Sequence, residues 1–138
     1  MPLPPRLFCD TSFFYACLDH NDTNHERAKE LTADAVTSAV AFITTWDIIS
    51  ETITLLRYRL GFRSALRFLQ VIKPTLTIVE YGQAVRDQAE RVFRQRGRRS
   101  RLSYCDAISF VVVTSLLDDM PCLAFDRDFR ALGLTVLS

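Results

Sequence analysis

The chain has 138 residues, 49% of them hydrophobic, and a formal net charge of +1. That length fits one domain, 1–138, with enough apolar residues for a sizeable core. The near-zero charge excludes a global field that would by itself draw the protein to nucleic acid or to a membrane surface.

The opening Met1-Pro2-Leu3-Pro4-Pro5-Arg6 lacks the apolar stretch of a secretory signal. Leu7-Phe8-Cys9 reads as a short buried strand. Asp10-Thr11-Ser12 reads as a helix start, because all three residue types cap helices. Phe13 to Leu18 continues as a short apolar helix, and Asp19 to Asn24 is a polar loop. Glu26 to Val36 is a second helix, with Ala28, Leu31 and Ala35 on one face. Val40 to Thr44 is the second strand. Asp47 to Leu60 forms a long helix, in which Ile49, Ile53, Leu56 and Leu60 follow the i, i+4, i+7, i+11 spacing. Glu51 is anomalous there: its helical neighbours Ile48 and Leu55 put it at the border of the apolar face. Gly61 interrupts the helix, and Ser64 to Ile72 forms another that Pro74 ends.

Leu76 to Val79 is a third strand. Gln83 to Arg96 is amphipathic, with Val85, Ala89, Val92 and Phe93 inward and Arg91 and Arg94 outward. Gly97 ends it, and Arg98-Arg99-Ser100-Arg101 is a basic loop. Ser103 caps the next helix with Asp106 three residues on, the S-x-x-D capping pattern, ahead of an uncharged run from Ala107 to Leu117. Cys122 to Phe125 is the fourth strand, Asp126 to Leu132 a short helix stopped by Gly133, and Leu134 to Leu137 a fifth strand. Strands alternating with helices predict an α/β fold, a mostly parallel sheet of about five strands with helices on both faces.

Cys9, Cys17, Cys105 and Cys122 lie in apolar surroundings without a CxxC pair, which reads as reduced thiols in a cytoplasmic protein. No apolar run reaches the roughly 18 residues of a membrane span. His20 and His25 lie in or near a polar loop without a further histidine at metal-site spacing. Trp46 and the phenylalanines read as core.

In parallel sheets, sites form outside the carboxyl ends of the strands. Asp10 ends the first strand, and Asp126 ends the fourth. Asp106 opens the helix before the fourth strand, and Glu51 lies about one turn into the helix after the second. All four fall at one sheet edge. Converging carboxylates repel each other, and divalent cations relieve that cost. Carboxylates and water without histidine or thiolate favour Mg²⁺ or Mn²⁺ over zinc. Taken singly, Asp10, Asp106 and Asp126 read equally as helix caps, and Glu51 as a residue edging a helix. Asp128 is either a first-turn acid favouring the helix dipole or an outer ligand. The arginines between 91 and 101 are either a solvated face or a phosphate-contact surface, for which arginine suits better than lysine.

Four short motifs carry a resemblance across nearly the whole chain: Cys9-Asp10-Thr11-Ser12, Ser50-Glu51, Tyr104-Cys105-Asp106-Ala107 and Phe125-Asp126-Arg127-Asp128-Phe129. In order and spacing they resemble the PIN-domain ribonucleases, and within them the toxin subunits of VapBC-type toxin–antitoxin pairs. The resemblance implies a three-layer α/β/α sandwich and an Mg²⁺- or Mn²⁺-dependent endonuclease cleaving single-stranded RNA. It also implies a homodimer silenced by a small antitoxin protein. Asp10, Glu51, Asp106 and Asp126 match the acidic catalytic and metal-binding set, Asp128 an additional acid, and Ser12 a small polar residue near the first acid. Arg98, Arg99 and Arg101 in the 91–101 stretch, or Arg57, Arg59 and Arg63, are candidates to grip the RNA backbone. Ala124 departs from the threonine or serine often found two residues before the fourth acid.

Two acidic-pocket phosphotransfer folds fit less well. A receiver domain needs a lysine after a late strand, and none follows Lys73; a haloacid-dehalogenase-type phosphatase needs an aspartate where Ser12 stands. A non-catalytic RNA- or protein-binding module of PIN-like fold remains as the alternative.

Overall fold

Five strands form one all-parallel sheet: β1 (Arg6–Cys9), β2 (Ala41–Thr44), β3 (Thr77–Ile78), β4 (Cys122–Leu123) and β5 (Val136–Leu137). Their order is β3-β2-β1-β4-β5 in the computed structural model, which describes residues 2–138. Helices cover both faces and give three layers: α1 (Thr11–Leu18), α2 (His25–Thr37), α3 (Trp46–Leu60), α4 (Phe62–Arg67), α5 (Gln83–Arg96), α6 (Tyr104–Ser115) and α7 (Arg127–Ala131). Central β1 is covered on both sides, so Leu7, Phe8 and Cys9 are all fully buried, as an unbroken apolar run requires.

The chain builds outward from β1 in one direction through β2 and β3, then returns to add β4 and β5 on the other side. The strand order therefore reverses between β1 and β4, where parallel sheets open a crevice at their carboxyl edge. The Asp10 amide donates to the Leu123 carbonyl at 3.0 Å, carrying the pairing one residue past β1 and fixing Asp10 beside the end of β4.

Beneath this edge the core is aromatic. Phe13 packs edge-on against Phe42 at 5.6 Å and stacks with Phe125 at 6.3 Å, while Phe14 meets Phe68 at 5.4 Å. Removing a buried ring such as Phe14 by alanine costs about 3–5 kcal/mol. Helix α6 packs beside α5, with Ala107, Ile108, Val111, Val112 and Val113 all buried, so its apolar surface covers more than one stripe.

Several details differ from the sequence reading. The helix expected over 64–72 starts at Phe62, because Gly61 at φ 100° reverses the chain and serves as cap for both α3 and α4. Its tail widens into a π turn (Phe68–Ile72) and a 3₁₀ turn (Lys73–Thr75). Trp46 is not core: it is the first residue of α3, 47% exposed, with the Lys73 ammonium 4.9 Å above its ring. Phe62 and Phe93 are exposed as well. His25 opens α2 and is buried, its Nδ1 donating to the Ala16 carbonyl at 2.7 Å, a structural role. All four cysteines are free, Cys9 and Cys122 buried and Cys17 and Cys105 half-buried. Among the described residues no helix is long and apolar enough to cross a membrane.

Candidate active site

Each acid is placed by the start of a helix. Asp10 is the N-cap of α1 and Asp126 that of α7, each accepting from the backbone N–H two residues on, Ser12 and Asp128. Asp106 is the third residue of α6 in a closed capping box: its N–H donates to Ser103 Oγ at 3.0 Å, and its Oδ2 accepts from the Ser103 N–H at 3.1 Å. Glu51 faces the same space from the second turn of α3. Together Asp10, Glu51, Asp106 and Asp126 line one open pocket of about 510 Å³, with Arg101 its single cationic lining residue. For Asp10, Asp106 and Asp126 the capping role and convergence on one pocket, which the sequence left as alternatives, hold together, whereas Glu51 caps no helix. A cap uses one carboxylate oxygen and leaves the other.

Asp10 is only 4% exposed and Asp106 only 8%. Among the described residues neither has a cationic partner. Burial pushes the Asp10 carboxyl up to about 7; the Asp106 and Glu51 charges add to this, while the hydrogen bonds from Ser12 oppose it. Burial likewise raises Asp106, with Glu51 and Asp126 repelling its charged form against the Ser103 hydrogen bonds. Burial, then the nearby Glu51, Asp10 and Asp106, drive the Cys105 thiol well above the ordinary range, so it stays protonated and offers no thiolate.

The donor set is therefore hard oxygen only, which fits a magnesium- or manganese-type ion. The hydrogen bonds to Asp10 and Asp106 all fall on Oδ2, and Oδ1 of each accepts none among the described residues. No three acidic, histidine or cysteine side chains among the described residues close into a ready-made metal cage. The acids line a broader pocket, with room for the several waters that Mg²⁺ retains.

The remaining candidates divide. Ser12 lines the pocket with its hydroxyl engaged, donating to Asp10 Oδ2 at 2.7 Å and accepting from the Phe125 N–H at 2.9 Å. Asp128 is half-buried and outside the pocket lining. Arg98 and Arg99 are exposed in the turn after α5, also outside the lining, whereas Arg101 is part of it. The sequence reading missed Thr54 and Tyr58, which line the pocket from α3. The signal was present, since they lie at i+3 and i+7 from Glu51 and so share its helix face.

The PIN domain family model matches residues 7–134. The 23S rRNA-specific endonuclease VapC20 of Mycobacterium tuberculosis is 32% identical over 127 residues, 92% of this chain and 94% of that protein. Its crystal structure, described as that of a toxin cleaving the sarcin–ricin loop, superposes with a TM-score of 0.79 at 29% identity, covering 94% of this chain and 96% of the other. FitAcB from Neisseria gonorrhoeae has a TM-score of 0.66 at 13% identity, with 96% of each chain covered. VapBC-1 from nontypeable Haemophilus influenzae has the same score at 9% identity, covering 96% of this chain and 97% of the other. At such identities these last two establish likeness of fold alone.

Proposed function

The chain belongs to the PIN-domain family, and from that premise we propose that it is a divalent-metal-dependent endoribonuclease, the toxin of a type II toxin–antitoxin pair. One observation carries this reading: four carboxylates from four separate segments converge on a single open pocket at the strand-order switch. Asp10, Glu51, Asp106 and Asp126 form the catalytic and metal-binding set, and Asp128 supports it from α7. When bound, Mg²⁺ or Mn²⁺ supplies positive charge to the phosphodiester and acidity to a water molecule.

The protein's own residues do the positioning. The carboxylates of Asp10 and Asp106 are held rigid by Ser12 and the Ser103 capping box, so their free oxygens need little reorganisation. Glu51, without a capping duty, is available to orient the attacking water. Arg101 at the pocket wall meets a phosphate next to the one being cleaved, with Arg98 and Arg99 gripping the strand beyond. The whole chain acts as a single cytoplasmic nuclease domain. It works as a homodimer and is silenced by a cognate small antitoxin.

The test is cleavage of single-stranded RNA, and of ribosomes as the first natural substrate given the relative's specificity, with Mn²⁺ and with EDTA. Cleavage that requires the metal and disappears in Asp10→Asn supports the reading. No cleavage while RNA still binds favours the non-catalytic module, and cleavage that persists in EDTA removes the metal from the reading.

A further inference from the structure

The acid pocket continues along α3. A second pocket of about 620 Å³ shares Thr54 and Tyr58 with the first and adds Ile53, Arg57, Gly61 and Phe62. Glu51, Thr54 and Tyr58 thus follow one stripe of α3, and Phe62, the first residue of α4, adds a second ring beyond its end. Tyr58 lies seven residues beyond Glu51, a rise of about 10 Å. That distance is within about three nucleotides of a stacked strand.

The aromatic end is open. Tyr58 is 85% exposed, and among the described residues neither an aromatic ring nor a cation packs on it. Phe62 is 61% exposed and carries the Arg57 guanidinium over one face, 5.3 Å from its centroid. None of the ion pairs among the described residues involves Arg57, Arg63 or Arg101. A single exposed ring is ordinary. Two rings with arginines that have no carboxylate partner among the described residues, in a groove continuous with the acids, have the composition of a single-strand binding track. Stacking on such rings tolerates any base, and arginines follow the phosphates.

We propose that Tyr58 and Phe62 form a stacking platform for an unpaired base of the RNA, within about three nucleotides of the scissile phosphate, with Arg57 on the adjoining backbone. This rests on the nuclease reading above and adds a positioning subsite to it. The occupant is RNA and not a protein helix, because the groove opens directly into the carboxylate pocket and is flanked by arginines with no carboxylate partner. Stacking holds substrate and transition state alike, so its loss raises KM with little effect on kcat.

The experiment measures Mn²⁺-dependent cleavage of a mixed-sequence single-stranded RNA. It also follows the fluorescence of the same RNA carrying 2-aminopurine, whose emission falls on stacking. Tyr58→Ala should raise KM roughly tenfold, within the range for loss of one stacked base, leave kcat within about twofold, and remove the quenching. Tyr58→Phe should keep both. The exposure of both rings makes the variants compatible with folding, which circular dichroism checks. A Tyr58→Ala/Phe62→Ala protein with wild-type KM and quenching overturns the platform while the nuclease reading stands. The same holds if RNA binding is intact but the oligomeric state changes, which marks the face as a protein interface. A wild-type protein that cleaves no RNA overturns the nuclease reading itself, and the platform with it.

Discussion

Ser12 Oγ donates to Asp10 Oδ2 at 2.7 Å and accepts from the Phe125 N–H at 2.9 Å. One hydroxyl thus ties the acid after β1 to the backbone just before the acid after β4. Ser12→Ala leaves the Phe125 N–H without its partner, at about 1–2 kcal/mol. It also removes a hydrogen bond that favours the charged form of Asp10. Residues that support a metal ligand typically matter 10–100-fold in affinity or rate. Ser12→Ala should therefore lower the melting temperature by several degrees and shift the Mn²⁺ midpoint for cleavage upward by about that factor. An unchanged midpoint would show that the hydroxyl only packs the loop.

The raised carboxyl of Asp10 gives a pH dependence with a definite sign. Its proton is held more tightly in the folded protein, at about 7, than in the unfolded chain, near 3.9. Its contribution is therefore fully present below about pH 4 and is lost as pH rises through 7. Asp106 shifts in the same direction and adds to the loss. In EDTA, the protein should melt several degrees higher at pH 5 than at pH 8. The proposed metal site needs the acids deprotonated, so stabilisation by Mn²⁺ should grow over the same interval. Melting curves in EDTA that rise from pH 5 to pH 8 would contradict the electrostatics of the pocket.

Much of this site was legible in the sequence, because parallel α/β chains put strand ends and the helix starts beside them on one edge. Asp10, Asp106 and Asp126 announce themselves as capping residues next to apolar runs, and Glu51 as an acid bordering an apolar face. The bond from Ser12 to Phe125 was not legible, since it joins residues 113 apart and no local pattern encodes it. Trp46 was misassigned because residue type favours burial, whereas its place at the first turn of α3 leaves the ring half open beneath Lys73. The π turn after Arg67 also escaped, since a periodicity near 3.6 hardly registers one widened turn.

The arginine-rich segment separates into pocket and periphery. Arg101 lines the acid pocket, whereas Arg98 and Arg99 are exposed outside it. Removing one arginine from a phosphate of a single strand should reduce the slope of log affinity against log salt by about 0.7. Arg101→Ala should flatten the slope by that amount and also lower kcat/KM. Arg98→Ala/Arg99→Ala should weaken binding with kcat preserved. Equal kinetic effects from the two variants would remove the distinction, and no change in slope from either would make the whole loop a solvated surface.

Asp106→Asn separates structural from chemical roles at one atom. In the capping box, Asp106 Oδ2 accepts from the Ser103 N–H, and the Asp106 N–H donates to Ser103 Oγ. The amide oxygen of asparagine can keep the first bond and the backbone keeps the second, so α6 should stay capped. What disappears is a nearly buried negative charge facing Glu51 and Asp126. Removing that repulsion should leave the metal-free protein as stable as wild type, or more stable by ~1 kcal/mol after solvent screening. Stabilisation by Mn²⁺ should weaken at the same time, because a hard anionic donor has become a neutral one. RNA cleavage should fall by more than about 100-fold, beyond the range of residues that only support a ligand. Paired melts in EDTA and Mn²⁺, with cleavage rates on the same preparations, distinguish the cases. Wild-type cleavage with unchanged Mn²⁺ dependence would make Asp106 a helix cap alone, and the catalytic set would have to be built from Asp10, Glu51 and Asp126.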